Sequence, residues 1–523
     1  MKPNLETSPF ATDGDRAFSK MPLWHQEKVV LHMPGHISGH FFSCDDCNYL
    51  ISTDTTELSL SDNLHNPQGT VLEIQNWMQE LYGSGFSQIL TTGSTTGIQV
   101  MLSSCLRPDS HLLLDRRCHM SAAYALSLIG CQYSFIQDFS TAISQNIASD
   151  RPESSTISPL SYLMDEEHGD LSMLSMIEHG LCTRKDISDV LITSPDYFGR
   201  CEDITRIAEI VHQHGCRLLV DEAHGAHFVF GDDNFPDTAL KSGADIVVQS
   251  VHKTLPALTM ASLLHVSCEA IKSKRVNPSR ILSMLQIFET SSPSFVIAAS
   301  LQMALRRMDK FGRAQFSIAA ERLHALRDRL SSVPGIDLIS GGAVKNGDPM
   351  RIGLSFARVG ISASQVAIEL ERRGFIVEMH SPSYVLMLFN IFNTQDDLDA
   401  LLSALKDIVD GLSDSDRVDP TILAHSEAIA RALYTRPPER AMHVRQAIFQ
   451  SENARTHKLS ESAGMISSGM LLLYPPGIPI LWPGEILSEA IVTQLSYLIE
   501  HGTSIDGIVE KSIWVLDNTN SNA

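Results

Sequence analysis

The chain has no uninterrupted apolar run long enough to cross a bilayer as a helix. Its start, Met1-Lys2-Pro3-Asn4-Leu5-Glu6-Thr7, lacks the apolar centre of a secretory signal. It has no long basic block, and 40 Lys and Arg against 61 Asp and Glu give a formal net charge of −21, which argues against duplex DNA or an anionic membrane as partner. Cysteine is sparse, nine residues scattered over 523, the pattern of reduced thiols, so a cytoplasmic setting is expected. Internal repeats and low-complexity tracts are missing apart from a polar tail from Asp517. What remains is the composition of a folded protein, 43% hydrophobic and 19% charged, with length enough for two or three domains and a large core.

Three stretches carry chemistry. Residues 244–249 are short, apolar and β-branched, which predicts a buried strand, and Ser250-Val251-His252-Lys253 stands at its end. A lysine is costly to bury as an ammonium but well suited to a Schiff base once desolvation lowers its pKa. A second strand over 216–220 runs into Asp221-Glu222-Ala223-His224-Gly225, leaving room for one crossover before Lys253. A third, Gln88-Ile89-Leu90, leads through Thr91-Thr92-Gly93-Ser94-Thr95-Thr96-Gly97 into a helix expected over 98–105. Such a turn gathers free backbone N–H groups, a positive helix end and hydroxyls around a phosphate. No Gly-Lys-Ser/Thr follows, so it is not a nucleoside-triphosphate loop. A lysine for a Schiff base, an upstream carboxylate to keep a pyridine nitrogen protonated and a phosphate turn together point to pyridoxal phosphate.

The rest of the chain is read around that site. Residues 1 to about 30 look like a polar arm with a helix near 23–30, followed by Pro34-Gly35-His36. His36, His40, Cys44 and Cys47 could be read as a zinc set, but one Cys-x-x-Cys without a second pair is weak and the intervening Asp45-Asp46 fits a solvated loop; no metal is expected. Asp54-Thr55-Thr56-Glu57 and residues 62–69 read as exposed loop, or as an arm lining an active site. A helix over 71–82 ends at Gly83, a strand is expected at 112–115 and a strand-to-loop edge over 190–199, and His119 is a candidate to stack on a flat cofactor. Alternating strands and helices from about 70 to 265 predict a doubly wound, mostly parallel α/β sheet with ligands at the strands' carboxyl ends. Helix to about residue 330, a second α/β pattern over 336–409, a linker over 414–420 and a last domain with Tyr474-Pro475-Pro476-Gly477 and Trp482-Pro483-Gly484-Glu485 complete the chain. The expected units are an arm (1–69), a large cofactor domain (70–310), a small α/β domain (311–415) and a C-terminal domain (416–523).

In this order, Pro34-Gly35-His36, Thr56-Glu57, Leu64-His65-x-Pro67-x-Gly69, the Ser94/Thr95 turn, Arg117-x-His119, Asp221-Glu222-Ala223-His224, Ser250-x-His252-Lys253 and the two Pro-Gly motifs resemble the short form of the Orn/Lys/Arg decarboxylases, pyridoxal-phosphate enzymes of fold type I. The resemblance implies that Lys253 carries the cofactor, Asp221 pairs with its pyridinium nitrogen and His119 stacks on its ring with Ala223 on the other face. It places His224 near the cofactor's 3-hydroxyl, and Ser94, Thr95, Ser250 and His252 on its phosphate. Lys253, His119, Asp221 and His252 are thus the expected catalytic set. It further implies a homodimer or a higher even-numbered homo-oligomer with shared sites, in which Thr290 and Ser291 act across the interface. The expected reaction is α-decarboxylation of arginine, lysine or ornithine, with Asp54, Glu57 or Glu485 as partner of the substrate's distal cation.

The sequence also departs from the family pattern. Ile37, Met120 and Met260 stand where Lys, Lys and Gln are common, and Gly464-Met465-Ile466-Ser467-Ser468-Gly469 lacks the usual Arg and Glu. These changes leave the cofactor residues intact and keep another fold type I reaction (aldol cleavage, transamination or acyl transfer) or a non-catalytic paralogue as rival readings.

Overall fold

A computed structural model of the chain describes residues 28–36, 41–55, 57–58, 61–140, 172–339, 347–411, 437–473, 477–500 and 504–516. Residues 1–27 of the expected arm, Ile37, His40, Thr56, the linker over 414–420, Tyr474-Pro475-Pro476 and the tail from Asp517 lie outside these residues.

Counting from β1 (Val29–Leu31), the central sheet takes β2 (Ser84–Leu90), β3 (His111–Leu114), β4 (Gln132–Phe135), β5 (Asp189–Thr193), β6 (Arg217–Asp221), β7 (Ile246–Ser250) and β8 (Ser262–Ser267). Their spatial order is β2-β8-β7-β6-β5-β3-β4. Only β8 runs against its neighbours, so the sheet is the mostly parallel, doubly wound one the alternation predicts. Helices cover both faces, so β3 and β7 are buried at every position, and their apolar residues, 112–114 and 246–248, are consecutive rather than alternating. Asp221 pairs in register with Val248, which sets the carboxyl ends of β6 and β7 side by side.

The helix after β2 spans Gly93–Cys105, five residues earlier than the pattern predicts. Two glycines in its first turns lower helix propensity and hide its start. Packing overrides that cost at Gly97, where a Cβ would sit 2.7 Å from side-chain carbons of both Leu90 and Val248. The Gly-Ser-Thr-Thr turn is therefore the helix's own first turn, whose N–H groups have no partner within the helix.

A 37-residue helix, Phe295–Ser331, is capped by Ser294 and runs unbroken across position 310. It leads into β9 (Asp337–Leu338), β10 (Arg351–Ser355), β11 (Phe375–Val377), β12 (Met379–His380) and β13 (Val385–Leu388). Four of these form an antiparallel sheet, β12-β13-β10-β9. β11 instead pairs in parallel with β1, Val29 against Phe375. This corrects the helix expected near 23–30 over its described part: the β-branched Val29-Val30 finds a strand edge 346 positions away that local periodicity cannot see. Cys44 and Cys47, expected on a loop, lie exposed on the helix Cys44–Ser52, whose start is fixed by a capping box of Ser43 and Asp46. All nine cysteines are free.

Candidate active site

A cavity of about 580 Å3 opens where β5, β6 and β7 end. One wall is the sheet's carboxyl edge: Ser94 and Thr95 from the first turn of Gly93–Cys105, Asp221, Ala223 and His224 after β6, and His252 and Lys253 after β7, with His119 beside them. Ser250 joins from behind through a 2.6 Å hydrogen bond to Ser94. All nine cofactor candidates thus converge on one place, from separate stretches of chain.

Lys253 lies on the single helical turn Val251–Thr254, its amine 3.1 Å from Nε2 of His224. Burial pulls its pKa down toward the neutral amine, opposed by the charge of Asp221. Burial in turn raises the Asp221 carboxyl, which accepts the Ala223 N–H at 3.1 Å. His119 caps the helix Met120–Ile129, its Nδ1 accepting the Ser121 N–H at 3.2 Å. Burial pushes His119 and His252 down to about 4, so both rings are neutral at pH 7. The Pro34-Gly35-His36 motif locks this wall from outside. The Gly35 N–H bonds the His252 carbonyl at 2.9 Å, and a Cβ at Gly35 would stand 2.8 Å from the Leu255 carbonyl oxygen.

The facing wall is built by His32, Met33, Ile376, Val377 and Glu378, with Ile478 reaching in from the C-terminal region. Glu378 accepts the Tyr197 hydroxyl proton and, at 3.0 Å, the Met33 N–H. The Tyr197 ring meets His224 edge-on at 4.9 Å. Nδ1 of His224 lies 2.9 Å from an Arg351 nitrogen, and Arg351 pairs with Asp348, which also meets His227 at 3.1 Å. Arg117 lines the cavity too, with its guanidinium held by Asp115 and Glu202. Glu378 and Arg351 escape motif reading. The one sequence signal was a lone carboxylate inside the apolar run Phe375-Ile376-Val377-Glu378-Met379.

The three carboxylates expected to meet a substrate cation do not line this cavity. Glu485 is fully buried, 2.9 Å from Arg116 and 2.7 Å from the Trp482 N–H, and fastens the C-terminal region to the sheet's edge. A carboxylate committed to a sealed ion pair has no path to a ligand. Glu57 accepts from the Asn63 amide at 2.6 Å and the Leu64 N–H at 3.0 Å, closing its own loop. Asp54 is exposed. Thr290 and Ser291 are exposed, the Thr290 carbonyl 3.2 Å from His65. Of the family-pattern departures, Met120 lies at the start of the His119 helix and Met260 lines the cavity, nearly half exposed, at a φ of 76° that a non-glycine residue rarely adopts.

The donor set fits pyridoxal phosphate. A helix N-terminus with two hydroxyls suits a phosphate, a buried carboxylate suits a pyridinium nitrogen, and a lysine biased toward its neutral form suits an aldehyde. His119 and Ala223 both border the space between.

Comparison with known proteins agrees. The Orn/Lys/Arg decarboxylase major domain matches residues 21–353 and the C-terminal domain of the same family residues 427–507. The chain is 30% identical over 493 residues to the uncharacterized protein YaaO of Bacillus subtilis (strain 168), covering 92% of this chain and 94% of that one. It is 28% identical over 505 residues to the arginine decarboxylase of the same organism, covering 94% of each. Among solved structures, the constitutive lysine decarboxylase of E. coli superposes with a TM-score of 0.70 at 20% identity, over 98% of this chain and 80% of that one. With the family's major domain matched over more than half its length and all its cofactor motifs gathered round one cavity, this chain belongs to the Orn/Lys/Arg decarboxylase family.

Proposed function

We propose that the chain is a pyridoxal-phosphate-dependent α-decarboxylase acting on arginine, lysine or ornithine. The observation that carries this reading is the meeting of Lys253, Asp221, His119 and the Ser94–Ser250 pair at one cavity in a chain of this family. When bound, pyridoxal phosphate supplies the sink that takes the electron pair of the broken Cα–carboxylate bond until a proton returns to Cα. The chain's own residues do the rest. Lys253, kept toward its neutral form by burial, binds the aldehyde carbon. Asp221 stabilises positive charge on the ring nitrogen. Ser94, Thr95, Ser250 and His252 hold the phosphate, and His119 and Ala223 flank the ring. Glu378, rather than Asp54, Glu57 or Glu485, faces the substrate's distal cation: besides Asp221 it is the carboxylate that lines the cavity among the described residues.

The same reading makes the active unit a homodimer with shared sites, in which Thr290 and Ser291 act across the interface, places the enzyme in the cytoplasm and makes its product an amine on a route to polyamines. It divides the chain at 69/70, 310/311 and 415/416; the unbroken helix across 310 makes that joint a rigid one. The test is direct: purified protein with pyridoxal phosphate, given each basic amino acid and a neutral control in turn, with CO2 and amine both measured. Stoichiometric CO2 and amine from one basic amino acid is the expected result. Amine transfer without CO2, or a preference for the neutral control, would overturn it.

A further inference from the structure

His224 touches Lys253 on one side and Arg351 on the other, and the second contact decides the chemistry of the first. A guanidinium N–H only donates, so Nδ1 of His224 must accept from the Arg351 nitrogen 2.9 Å away. A neutral imidazole carries one proton, which then has to sit on Nε2. That nitrogen stands 3.1 Å from the Lys253 amine. An ammonium has no lone pair to accept an N–H, so this contact is a hydrogen bond only if Lys253 is a neutral amine. We propose that Arg351 is a positioning residue that holds His224 as its Nε2–H tautomer and so selects the neutral, nucleophilic form of Lys253. The tautomer rests on geometry alone; its consequence for cofactor binding rests on the function proposed above.

The rest of the arrangement is built to hold Arg351 still. Its guanidinium pairs with Asp348, fully buried, which is held on its other side by His227 at 3.1 Å and by the Met350 N–H at 3.0 Å. Gly199 gives the pair its space: at a φ of 87°, a Cβ there would lie 3.1 Å from Arg351 and 3.2 Å from Asp348 carbons. Burial of His224, with the Arg351 guanidinium beside it, favours the neutral ring. The other titratable groups around Lys253 are Asp221 and Glu378 on the acidic side and His119 and His252 on the imidazole side; substitution at 351 leaves all four in place.

The experiment uses the full chain stripped of cofactor. Imidazole 15N shifts are recorded with His224 assigned by the signal lost in His224→Gln, and Lys253 modification by an amine reagent is followed against pH with the label mapped by mass. In the unsubstituted chain His224 should show a protonated Nε2 and a bare Nδ1. Arg351→Met should release the ring toward the other tautomer and move the Lys253 modification profile up by about one pH unit or more. Arg351→Gln keeps a donor but loses the charge, so the tautomer should survive, and Arg351→Lys should restore both readouts. A protonated Nδ1 in the unsubstituted chain overturns the proposal even if the Met variant fails to fold. So does an unchanged tautomer in a folded Arg351→Met. Neither readout needs turnover, so a failure of the decarboxylase reading would be seen separately in the amine and CO2 assay.

Discussion

The two walls of the cavity are made in different ways. On the sheet side, each contribution is a short stretch at a strand's end: Ser94-Thr95, Asp221 to His224, Ser250 to Lys253. On the facing side, the contact that positions Glu378 joins it to Met33 across 345 positions of chain, through a two-stranded pairing of β1 with β11. The first wall is written in motifs. The second gathers single side chains from three distant stretches, 32–33, 376–378 and 478, which no motif marks. On the function proposed above, substitutions on the two walls should have separable effects.

The largest effect should come from the sheet wall. Lys253→Ala should reduce CO2 release by roughly a thousandfold or more, and borohydride should no longer fix pyridoxal phosphate to the protein. Attachment to another lysine in that variant would undo the assignment. Next, Asp221→Asn should keep the cofactor while lowering kcat by about 10²- to 10⁴-fold, since it removes charge only from beside the ring nitrogen.

On the facing wall, Glu378→Gln should raise KM for the basic substrate by roughly 10- to 1000-fold, the range for losing one partner of a desolvated charge pair, with cofactor absorbance unchanged. Glu485→Gln is the contrast: unchanged KM, but a lower unfolding temperature, because a buried Arg116 loses its counter-charge at a cost of about 3–5 kcal/mol. A KM effect at Glu485 and none at Glu378 would reverse the roles of these two carboxylates.

The smallest effect lies behind the cofactor wall, in the sheet itself. His265 on β8 is fully buried, and burial pushes its pKa down to about 3 from 6.5. Between those pH values the unfolded chain binds a proton that the folded chain refuses, so stability falls as pH drops through the window, by up to ~1.4 kcal/mol per pH unit. Urea unfolding at pH 7 and pH 5 should show the loss. His265→Asn, which cannot titrate, should lessen it, with the other buried histidines His119 and His252 keeping a residual slope, and an equal slope in that variant would exclude His265 as a source.

What was readable in the chain follows from what the chemistry demands locally. A phosphate turn, a strand-end aspartate and a strand-end lysine are each short, and each must lie at the carboxyl end of a strand in the sheet, so Ser94, Asp221 and Lys253 could be placed together from sequence. The acidic residues near Pro-Gly motifs misled because a carboxylate looks the same in sequence whether it serves a ligand or a buried arginine. Glu485 found Arg116, and Glu57 found its own loop.

By itself the sequence determined the class of sheet and the short stretches that meet at its carboxyl edge, because these depend on strand periodicity and on motifs a few residues long. Only the tertiary structure decided which carboxylate faces the cavity and which proton His224 carries. Both depend on contacts between side chains far apart in the chain: Glu378 with Met33 and Tyr197, and Arg351 with His224, 127 positions away. No local pattern records such pairings, since they join residues of different sheets and connecting loops that only the closed fold brings together.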